Sequence, residues 1–246
     1  AFVPIDSEHF SIYSLNNGFD ASQIEKIFIT ASGGPFLNLN KKKLNTVNPS
    51  KAIQHPNWKM GKKISVDSAT LMNKVFEVIE AQRIFNLKKK FFEILIHPKS
   101  YLHSVIKYKN GTSKLLIHDT TMKIPIFNYI CRDLKSKLNT NKINFNSLNN
   151  LELTKPIQKQ FPLLKILSKI PENISLFETV LISANDELVE NFLNGNIKFN
   201  QIHKILFKII NLKEFKKFKY KKPKNLDQII KLNKYVRLKT LNLCIV

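Results

Sequence analysis

Two short segments contain the acidic residues that are best placed to do chemistry. Asp6 and Glu8 lie two positions apart in Ile5-Asp6-Ser7-Glu8, and the strand period of two would place both carboxylates on one face. Paired like charges favour a bound cation, and hard oxygen donors suit Mg²⁺ or Mn²⁺ better than zinc. The alternative is a solvent-facing edge strand without a ligand.

The segment from Ser68 to Phe85 predicts one amphipathic helix that could add a third carboxylate. Its apolar residues share an arc that we expect to face the core. Polar residues fall together on the adjoining arc: Thr70, Asn73, Lys74 and Glu77. We expect Ser68 or Asp67 to cap the helix, where backbone N–H groups and the helix dipole favour an anion such as phosphate. Glu77 could complete a metal site with the first two carboxylates, and an ordinary helix with a polar flank is the alternative.

Three other segments have compositions typical of ligand contacts. Ser32-Gly33-Gly34 follows a strand-like run, and its backbone could approach a phosphate closely, although a plain tight turn explains it equally well. The segment from His55 to Lys62 contains the only tryptophan and no periodicity, which is typical of a loop over a flat ligand or of a buried loop anchor. Ser100 and His103 could bind an anion or relay a proton, and a structural histidine is the alternative.

The net charge of +22 would ordinarily suggest a polyanionic partner. Only three of the 40 basic residues are arginines, however, and arginine is the residue that bidentate recognition of phosphate and guanine prefers. We therefore expect no specific nucleic-acid partner and attribute the lysines mainly to A+T-rich codon drift. The segment Lys213 to Lys224 interleaves seven lysines with aromatic residues, and we interpret it as a solvated surface, with polyanion binding as the alternative.

Length and composition indicate a folded chain with a sizeable core. The 246 residues allow one large domain or two modest ones, and 43% hydrophobic residues exclude disorder of the whole chain. No apolar run is long enough to cross a membrane, and two distant cysteines, Cys131 and Cys244, indicate a reducing compartment.

The chain is predicted to contain an α+β catalytic domain at residues 1–131, a connector at 132–150 and a small all-α helical bundle at 151–246. Three strands are predicted in the first domain: 27–30, 91–96 and 105–108. Four helices are predicted in the bundle: 161–170, 176–193, 199–210 and 226–241.

Five motifs occur in one order along the first half of the chain: Val3–His9, Ser32–Phe36, His55–Gly61, Lys63–Lys74 with Glu77, and His97–Ser104. In this order they closely resemble the 1-deoxy-D-xylulose 5-phosphate reductoisomerase family. The resemblance is dense over residues 1–125 and loose in the helical remainder, where only 161–166 and 183–186 match.

The resemblance implies an enzyme of non-mevalonate isoprenoid biosynthesis. The family rearranges 1-deoxy-D-xylulose 5-phosphate, by retro-aldol cleavage and re-addition, and reduces the product with NADPH to 2-C-methyl-D-erythritol 4-phosphate. A divalent cation, Mg²⁺ or Mn²⁺, holds the substrate. The resemblance implies a homodimer in the cytoplasm of a bacterium rather than a plastid enzyme. The lysine-rich composition suggests a reduced, A+T-rich genome such as that of an endosymbiont. A decayed non-catalytic remnant and a lysine-rich polyanion-binding protein are the alternatives.

The resemblance also implies roles for individual residues. Asp6, Glu8 and Glu77 would bind the metal, and with Lys74 they would form the catalytic set. The implied substrate contacts are Ser7, Glu8, Ser32, His55, Trp58, Ser68, Asn73, Lys74, Glu77, Ser100 and His103. The implied cofactor contacts, on the nicotinamide side, are Met60, Gly61 and Met122.

Some features depart from the family pattern. The family's N-terminal Rossmann-like domain, with its Gly-x-Thr-Gly-x-x-Gly turn, is absent from these residues, so we expect a partial sequence that is inactive by itself. Val75-Phe76 stands where Gly-Leu is usual, Thr120-Thr121-Met122 replaces Pro-Asp-Met, and Asn185-Asp186 replaces Asn-Glu.

Overall fold

The computed structural model describes residues 2–16, 20–131 and 135–245. Ala1 and the first three residues of the predicted connector, from Arg132, therefore lie outside the described residues. The chain divides into two compact units. Unit 1 comprises Ala1–Gly34, Pro56–Lys59 and Asn73–Ile157, and unit 2 comprises Pro35–His55, Met60–Met72 and Gln158–Val246. Each unit is therefore assembled from three separate segments of the chain.

The described residues form ten α-helices: α1 Ser7–Leu15, α2 Pro49–Ala52, α3 Lys62–Thr70, α4 Met72–Ile84, α5 Lys123–Ile130, α6 Phe145–Asn149, α7 Leu176–Leu193, α8 Phe199–Asn211, α9 Lys213–Lys216 and α10 Leu226–Cys244. They also form four strands: β1 Ile24–Ala31, β2 Phe92–Ile96, β3 Leu102–Tyr108 and β4 Ser113–Ile117. Short 3₁₀ helices occur at Ala21–Gln23, Lys41–Thr46, Lys89–Phe91, Pro162–Lys169 and Lys217–Tyr220.

Unit 1 is built on a four-stranded mixed sheet in the order β2-β1-β3-β4. Strand β1 pairs in parallel with β2 and antiparallel with β3, which in turn pairs antiparallel with β4. The three predicted strands are confirmed, each within a few residues of its predicted bounds. Strand β4 was not predicted, because Ser113-Lys114-Leu115-Leu116-Ile117 lacks a regular alternation and stays half-exposed at the sheet edge.

Strand β3 contains a β-bulge at His103, where it pairs with β4. Leu102 pairs with Ile117 and Ser104 pairs with Leu116, so one extra residue of β3 stands between neighbouring residues of β4. Such bulges redirect side chains. His103 is buried, and it stands in a run of five buried residues that a regular alternating strand would not show.

The predicted strand at Asp6 and Glu8 is wrong, because these residues begin helix α1. Asp6 is the N-cap residue, and its Oδ1 accepts hydrogen bonds from the backbone N–H groups of Glu8 at 3.1 Å and His9 at 3.3 Å. Aspartate is a preferred N-cap residue, and a glutamate in the first turn complements the helix dipole. The capping preference therefore outweighs the strand-like run that precedes it.

The predicted single helix from Ser68 to Phe85 is interrupted at Leu71. Leu71 has φ 59° and ψ 17°, the left-handed conformation, and it separates α3 from α4. Asp67 and Ser68 consequently lie in the last turn of α3, so the prediction that one of them caps a helix start is wrong. The arc of apolar residues is nevertheless buried as predicted, because Leu71, Val75 and Val78 are each at most 2% exposed.

Unit 2 contains the predicted helical bundle. Helices α7, α8 and α10 begin at the predicted residues, and α10 ends three residues later than predicted. The predicted helix at 161–170 is instead a 3₁₀ helix. Ser175 caps α7 by accepting from Phe177 N at 3.3 Å, and Asn225 caps α10 by accepting from Gln228 N at 3.0 Å. The core is apolar and includes several fully buried side chains from α7 and α8: Val180, Leu181, Leu188, Ile202, Leu206 and Ile209.

The lysine-rich segment from Lys213 to Lys224 uses part of its aromatic content internally. Phe215 is fully buried, and the Lys219 ammonium lies 4.9 Å from the centroid of the Phe177 ring. Tyr220 alone is almost fully exposed. Within the described ranges, no helix combines the length and the apolar content that crossing a bilayer requires.

Candidate active site

Three carboxylates converge in unit 1, as the sequence predicts. One oxygen each from Asp6, Glu8 and Glu77 lies within 4.8 Å of the other two. The start of α1 supplies the first two residues, and α4 supplies Glu77, which is 2% exposed. Magnesium binds oxygen at about 2.0–2.1 Å, so ligands on opposite sides of the ion lie about 4.2 Å apart. Small side-chain movements would therefore adapt this carboxylate cluster to a divalent cation.

Lys74 provides a cation within the carboxylate cluster. Its ammonium Nζ donates to both carboxylate oxygens of Glu77 at 2.8 Å and also to Glu8 Oε1. Asn73 Nδ2 donates to Glu77 Oε1 from one turn earlier in the same helix. Lys74 is only 5% exposed. Three carboxylates still outnumber one ammonium group, which leaves an excess of two negative charges when all are ionised.

The pKa values show that this excess charge is unfavourable. Burial, together with repulsion from Glu8, raises the pKa of Glu77 well above its usual value, and the same two causes raise the pKa of Asp6. Against the effect of burial, the Lys74 ammonium lowers the pKa of Glu8 to about 2. When neighbouring carboxylates repel one another, an added cation stabilises their ionised forms. The residues present thus fit a divalent ion.

His9 connects the two helices that carry the cluster. Its Nε2 donates to the backbone carbonyl of Glu77 at 3.0 Å, while Nδ1 lies 3.5 Å from Asp6 Oδ1 and 3.7 Å from Glu80 Oε2. The ring is buried, with 1% exposed. His9 therefore fixes the spacing between α1 and α4, a role that the sequence did not reveal.

The segment Pro56–Lys59 contacts the loop before β3 and β3 itself. Asn57 Nδ2 donates to Pro98 O at 2.6 Å and to Ser100 Oγ at 2.8 Å. The indole of Trp58 meets the His103 ring edge-on, with 6.0 Å between centroids. Burial and the neighbouring His118 lower the pKa of His103 to about 4. His103 is thus a neutral imidazole at physiological pH, and two predicted substrate residues, Ser100 and His103, lie against the segment that carries Trp58.

The remaining predicted site residues of unit 1 are two serines with local hydrogen bonds and one methionine near the surface. Ser7 donates from its hydroxyl to Glu8 Oε2. Ser32 Oγ accepts from Gly34 N at 3.0 Å, and Gly33 and Gly34 have φ values of 83° and 68°. Positive φ at two consecutive positions requires glycine, which explains the Gly-Gly pair. Met122 precedes α5 and is partly exposed.

Four predicted residues belong to unit 2. His55 and Met60 are half-buried, and Ser68 is half-buried in the last turn of α3. Gly61 is the N-cap residue of α3, is exposed, and has no neighbouring atom within 4 Å of the position that a Cβ would occupy. This backbone is accessible to a flat ring.

A polar network in unit 2 contains Asn185 and Asp186, the pair that stands where the family has Asn-Glu. Asp67 is 1% exposed and accepts from Asn185 Nδ2 at 2.8 Å and from Lys63 Nζ at 2.8 Å. Lys63 also contacts Asp186 Oδ1 at 3.0 Å. Aspartate at position 186 therefore still forms an ion pair within this network.

Comparisons with known sequences agree over most of the chain. Residues 2–85 match the 1-deoxy-D-xylulose 5-phosphate reductoisomerase C-terminal domain, and residues 118–239 match a second model, the DXP reductoisomerase C-terminal domain. A 1-deoxy-D-xylulose 5-phosphate reductoisomerase of Pelagibacter ubique is 57% identical over 238 residues, which are 97% of this chain and 61% of that protein. One of Sulfurihydrogenibium sp. is 37% identical over 241 residues, 98% of this chain and 62% of the relative.

Solved structures agree with the sequence comparison. A DOX-P reductoisomerase in complex with NADPH, fosmidomycin and magnesium matches with a TM-score of 0.87 and 29% identity, covering 98% of this chain and 62% of that one. The Zymomonas mobilis 1-deoxy-D-xylulose 5-phosphate reductoisomerase, in complex with NADPH, matches with a TM-score of 0.82 and 30% identity, covering 98% and 61%. The chain thus spans about three fifths of the length of the relatives that it matches.

Proposed function

This chain belongs to the 1-deoxy-D-xylulose 5-phosphate reductoisomerase family, and from that premise we propose that it forms the metal- and substrate-binding part of such an enzyme. The reaction would be the rearrangement of 1-deoxy-D-xylulose 5-phosphate and its reduction by NADPH to 2-C-methyl-D-erythritol 4-phosphate. The relatives named for 1-deoxy-D-xylulose 5-phosphate support a sugar phosphate substrate, and the related structures that carry NADPH and magnesium support these two cofactors.

The observation that carries this proposal is the convergence of the carboxylates of Asp6, Glu8 and Glu77, of which Glu77 is buried, with their excess of negative charge. These three residues would hold Mg²⁺ or Mn²⁺. The bound ion would supply Lewis-acid polarisation of the substrate carbonyl. His9 would keep the carboxylates at the required spacing through its bond to the Glu77 backbone.

The phosphate and hydroxyl groups of the substrate would be bound by the neighbouring polar side chains. Lys74 and Asn73 donate hydrogen bonds to Glu77. When a metal ion binds Glu77, both side chains could donate to an anionic ligand instead. The remaining proposed substrate contacts are Ser7, Ser32, His55, Trp58, Ser68, Ser100 and His103. Trp58 and His103 would present apolar and weakly polar ring surface, which excludes water from the reacting atoms.

The proposed nicotinamide contacts are Met60, Gly61 and Met122. The open backbone at Gly61 and the partly exposed side chain of Met122 suit contact with a flat ring. NADPH would supply the hydride for reduction. Homodimer formation, a cytoplasmic location and the assignment of the α+β and helical domains to residues 1–131 and 151–246 belong to the same proposal.

The central test compares Mn²⁺ binding by Glu77→Gln and Glu25→Gln variants of this chain, measured by calorimetry or electron paramagnetic resonance. Both changes replace one carboxyl group of unit 1 by an amide, but Glu77 is buried in the carboxylate cluster, whereas the Glu25 side chain is 46% exposed and pairs with Lys107. Loss of an outer partner of a metal ligand typically costs about 10- to 100-fold in affinity. We expect Glu77→Gln to weaken binding by more than this and Glu25→Gln to change it little.

Equal Mn²⁺ affinity in the two variants would contradict the assignment of Glu77 as a ligand. A decayed, non-catalytic remnant is the remaining alternative in which the metal still binds. Turnover of 1-deoxy-D-xylulose 5-phosphate when the N-terminal part of a relative is supplied in trans would exclude that alternative, and its absence with an intact metal site would favour it.

A further inference from the structure

His118 directly follows β4 and is packed against a proposed substrate residue. Its backbone N–H donates to Tyr101 O at 3.1 Å, and its ring is 7% exposed. The ring of His118 stacks on the ring of His103 with 3.7 Å between centroids and 18° between planes. Nothing in the sequence singles out His118, because the two histidines meet only through the pairing of β3 with β4.

Hydrogen bonds fix both rings in this stack. His103 Nε2 donates to the backbone carbonyl of His118 at 3.1 Å, which leaves Nδ1 of the neutral His103 ring as the acceptor nitrogen. His118 Nδ1 donates to Asp119 O at 2.7 Å. His118 Nε2 has no hydrogen-bond partner among the described residues. The His118 ring is thus held by its own backbone turn and contributes a flat surface to the ring beside it.

Four rings form a continuous aromatic column in unit 1. Trp58 meets His103 at 6.0 Å and 72°, His103 stacks on His118, and His118 meets Phe10 of α1 at 6.2 Å and 60°. The column begins in the segment Pro56–Lys59 and ends in the helix that carries Glu8. Asn57 anchors this segment through its hydrogen bonds to Pro98 and Ser100.

We propose that His118 is a positioning residue, whose stacked ring holds His103 in the orientation that seats Trp58 and thereby fixes the segment Pro56–Lys59. A side chain without a flat face at position 118 would remove the stacking surface, so that the hydrogen bond from His103 Nε2 to the backbone carbonyl of residue 118 remains but the ring can tilt about it, and the edge-on contact with Trp58 would be lost. The consequence for substrate rests on the proposed function, in which Trp58 and His103 contact the substrate. The positioning itself needs neither substrate nor metal.

The test uses the fluorescence of Trp58, which is the only tryptophan in the chain. The purified chain is compared with His118→Ala, with His118→Phe, which keeps a flat ring, and with His203→Ala, which removes a histidine of unit 2 outside the column. Circular dichroism confirms that each variant is folded. We expect His118→Ala to shift the Trp58 emission to longer wavelength and to increase quenching by acrylamide. We expect His118→Phe and His203→Ala to resemble the parent.

Unchanged Trp58 emission and quenching in a folded His118→Ala variant would overturn the proposal. If that variant does not fold, His118→Phe decides, since an exposed Trp58 in this ring-preserving variant would equally overturn it and a shielded Trp58 would support it. Failure of the Mn²⁺ test at Glu77 would remove the proposed function but would leave these fluorescence results unaffected, so the two ideas fail separately.

Discussion

Replacing Lys74 with methionine should destabilise the metal-free chain by about 3–5 kcal/mol. The Lys74 side chain is 5% exposed, and its ammonium pairs with Glu8 and Glu77, which are themselves largely buried. Methionine preserves most of the side-chain volume, so the change mainly removes a charge. Removing one partner of a buried ion pair leaves an uncompensated charge, which typically costs about 3–5 kcal/mol.

Urea unfolding followed by the fluorescence of Trp58 would measure this loss, because Trp58 belongs to unit 1 with the cluster. The measurement is made with a chelator and again with saturating Mg²⁺. We expect Mg²⁺ to recover most of the stability of Lys74→Met, since a divalent ion can neutralise the same carboxylates. We also expect a smaller loss near pH 5 than near pH 7, because carboxylates without their ammonium partner can be protonated in the folded state.

Lys99→Met is the matched control, since Lys99 is an exposed lysine of the same unit. Surface substitutions of this kind usually change stability by less than about 0.5 kcal/mol. Equal stability of Lys74→Met and Lys99→Met in the presence of the chelator would refute the assignment of Lys74 as the counterion of the carboxylates. Equal stabilisation of the parent and of Lys74→Met by Mg²⁺ would refute it as well.

Two other predictions concern buried polar groups. The pKa of His103 is about 4 in the folded chain, against 6.5 for an ordinary histidine in the unfolded chain. The free energy of unfolding should therefore decrease as pH falls from 6.5 towards 4, by about 3 kcal/mol in all. Urea titrations across this range should show a weaker pH dependence in His103→Gln. Asn185→Ala removes a donor to buried Asp67 and should cost about 1.5–3 kcal/mol, whereas exposed Asn194→Ala should cost little. Equal unfolding midpoints for the two asparagine variants would contradict this.

The sequence identified the carboxylate cluster although it misjudged the local backbone. The local pattern predicts a strand for Asp6 and Glu8, yet the sequence groups both residues with Glu77, and the start of α1 does bring the three carboxylates together. Side-chain chemistry at given chain positions is visible in a sequence. Whether Asp6 caps a helix or continues a strand depends on a balance of about 1 kcal/mol, which a short segment does not reveal.

Other features depend on contacts between distant parts of the chain. The interruption at Leu71 escapes helical periodicity, because the apolar arc continues on both sides of one left-handed residue. Strand β4 is specified by its pairing with β3 and not by alternation. The stack of His118 on His103 requires that pairing and its bulge. Each of these is set by tertiary structure, which overrides local propensity.

The raised pKa of Glu77 has a thermodynamic consequence for metal uptake. When Glu77 is protonated in the metal-free chain, binding a divalent ion must release that proton to the solvent. Metal affinity should then fall by about tenfold for each pH unit below the pKa of Glu77. The observed heat of binding should also vary with the ionisation enthalpy of the buffer, so a calorimetric series in several buffers would count the protons released for each ion bound.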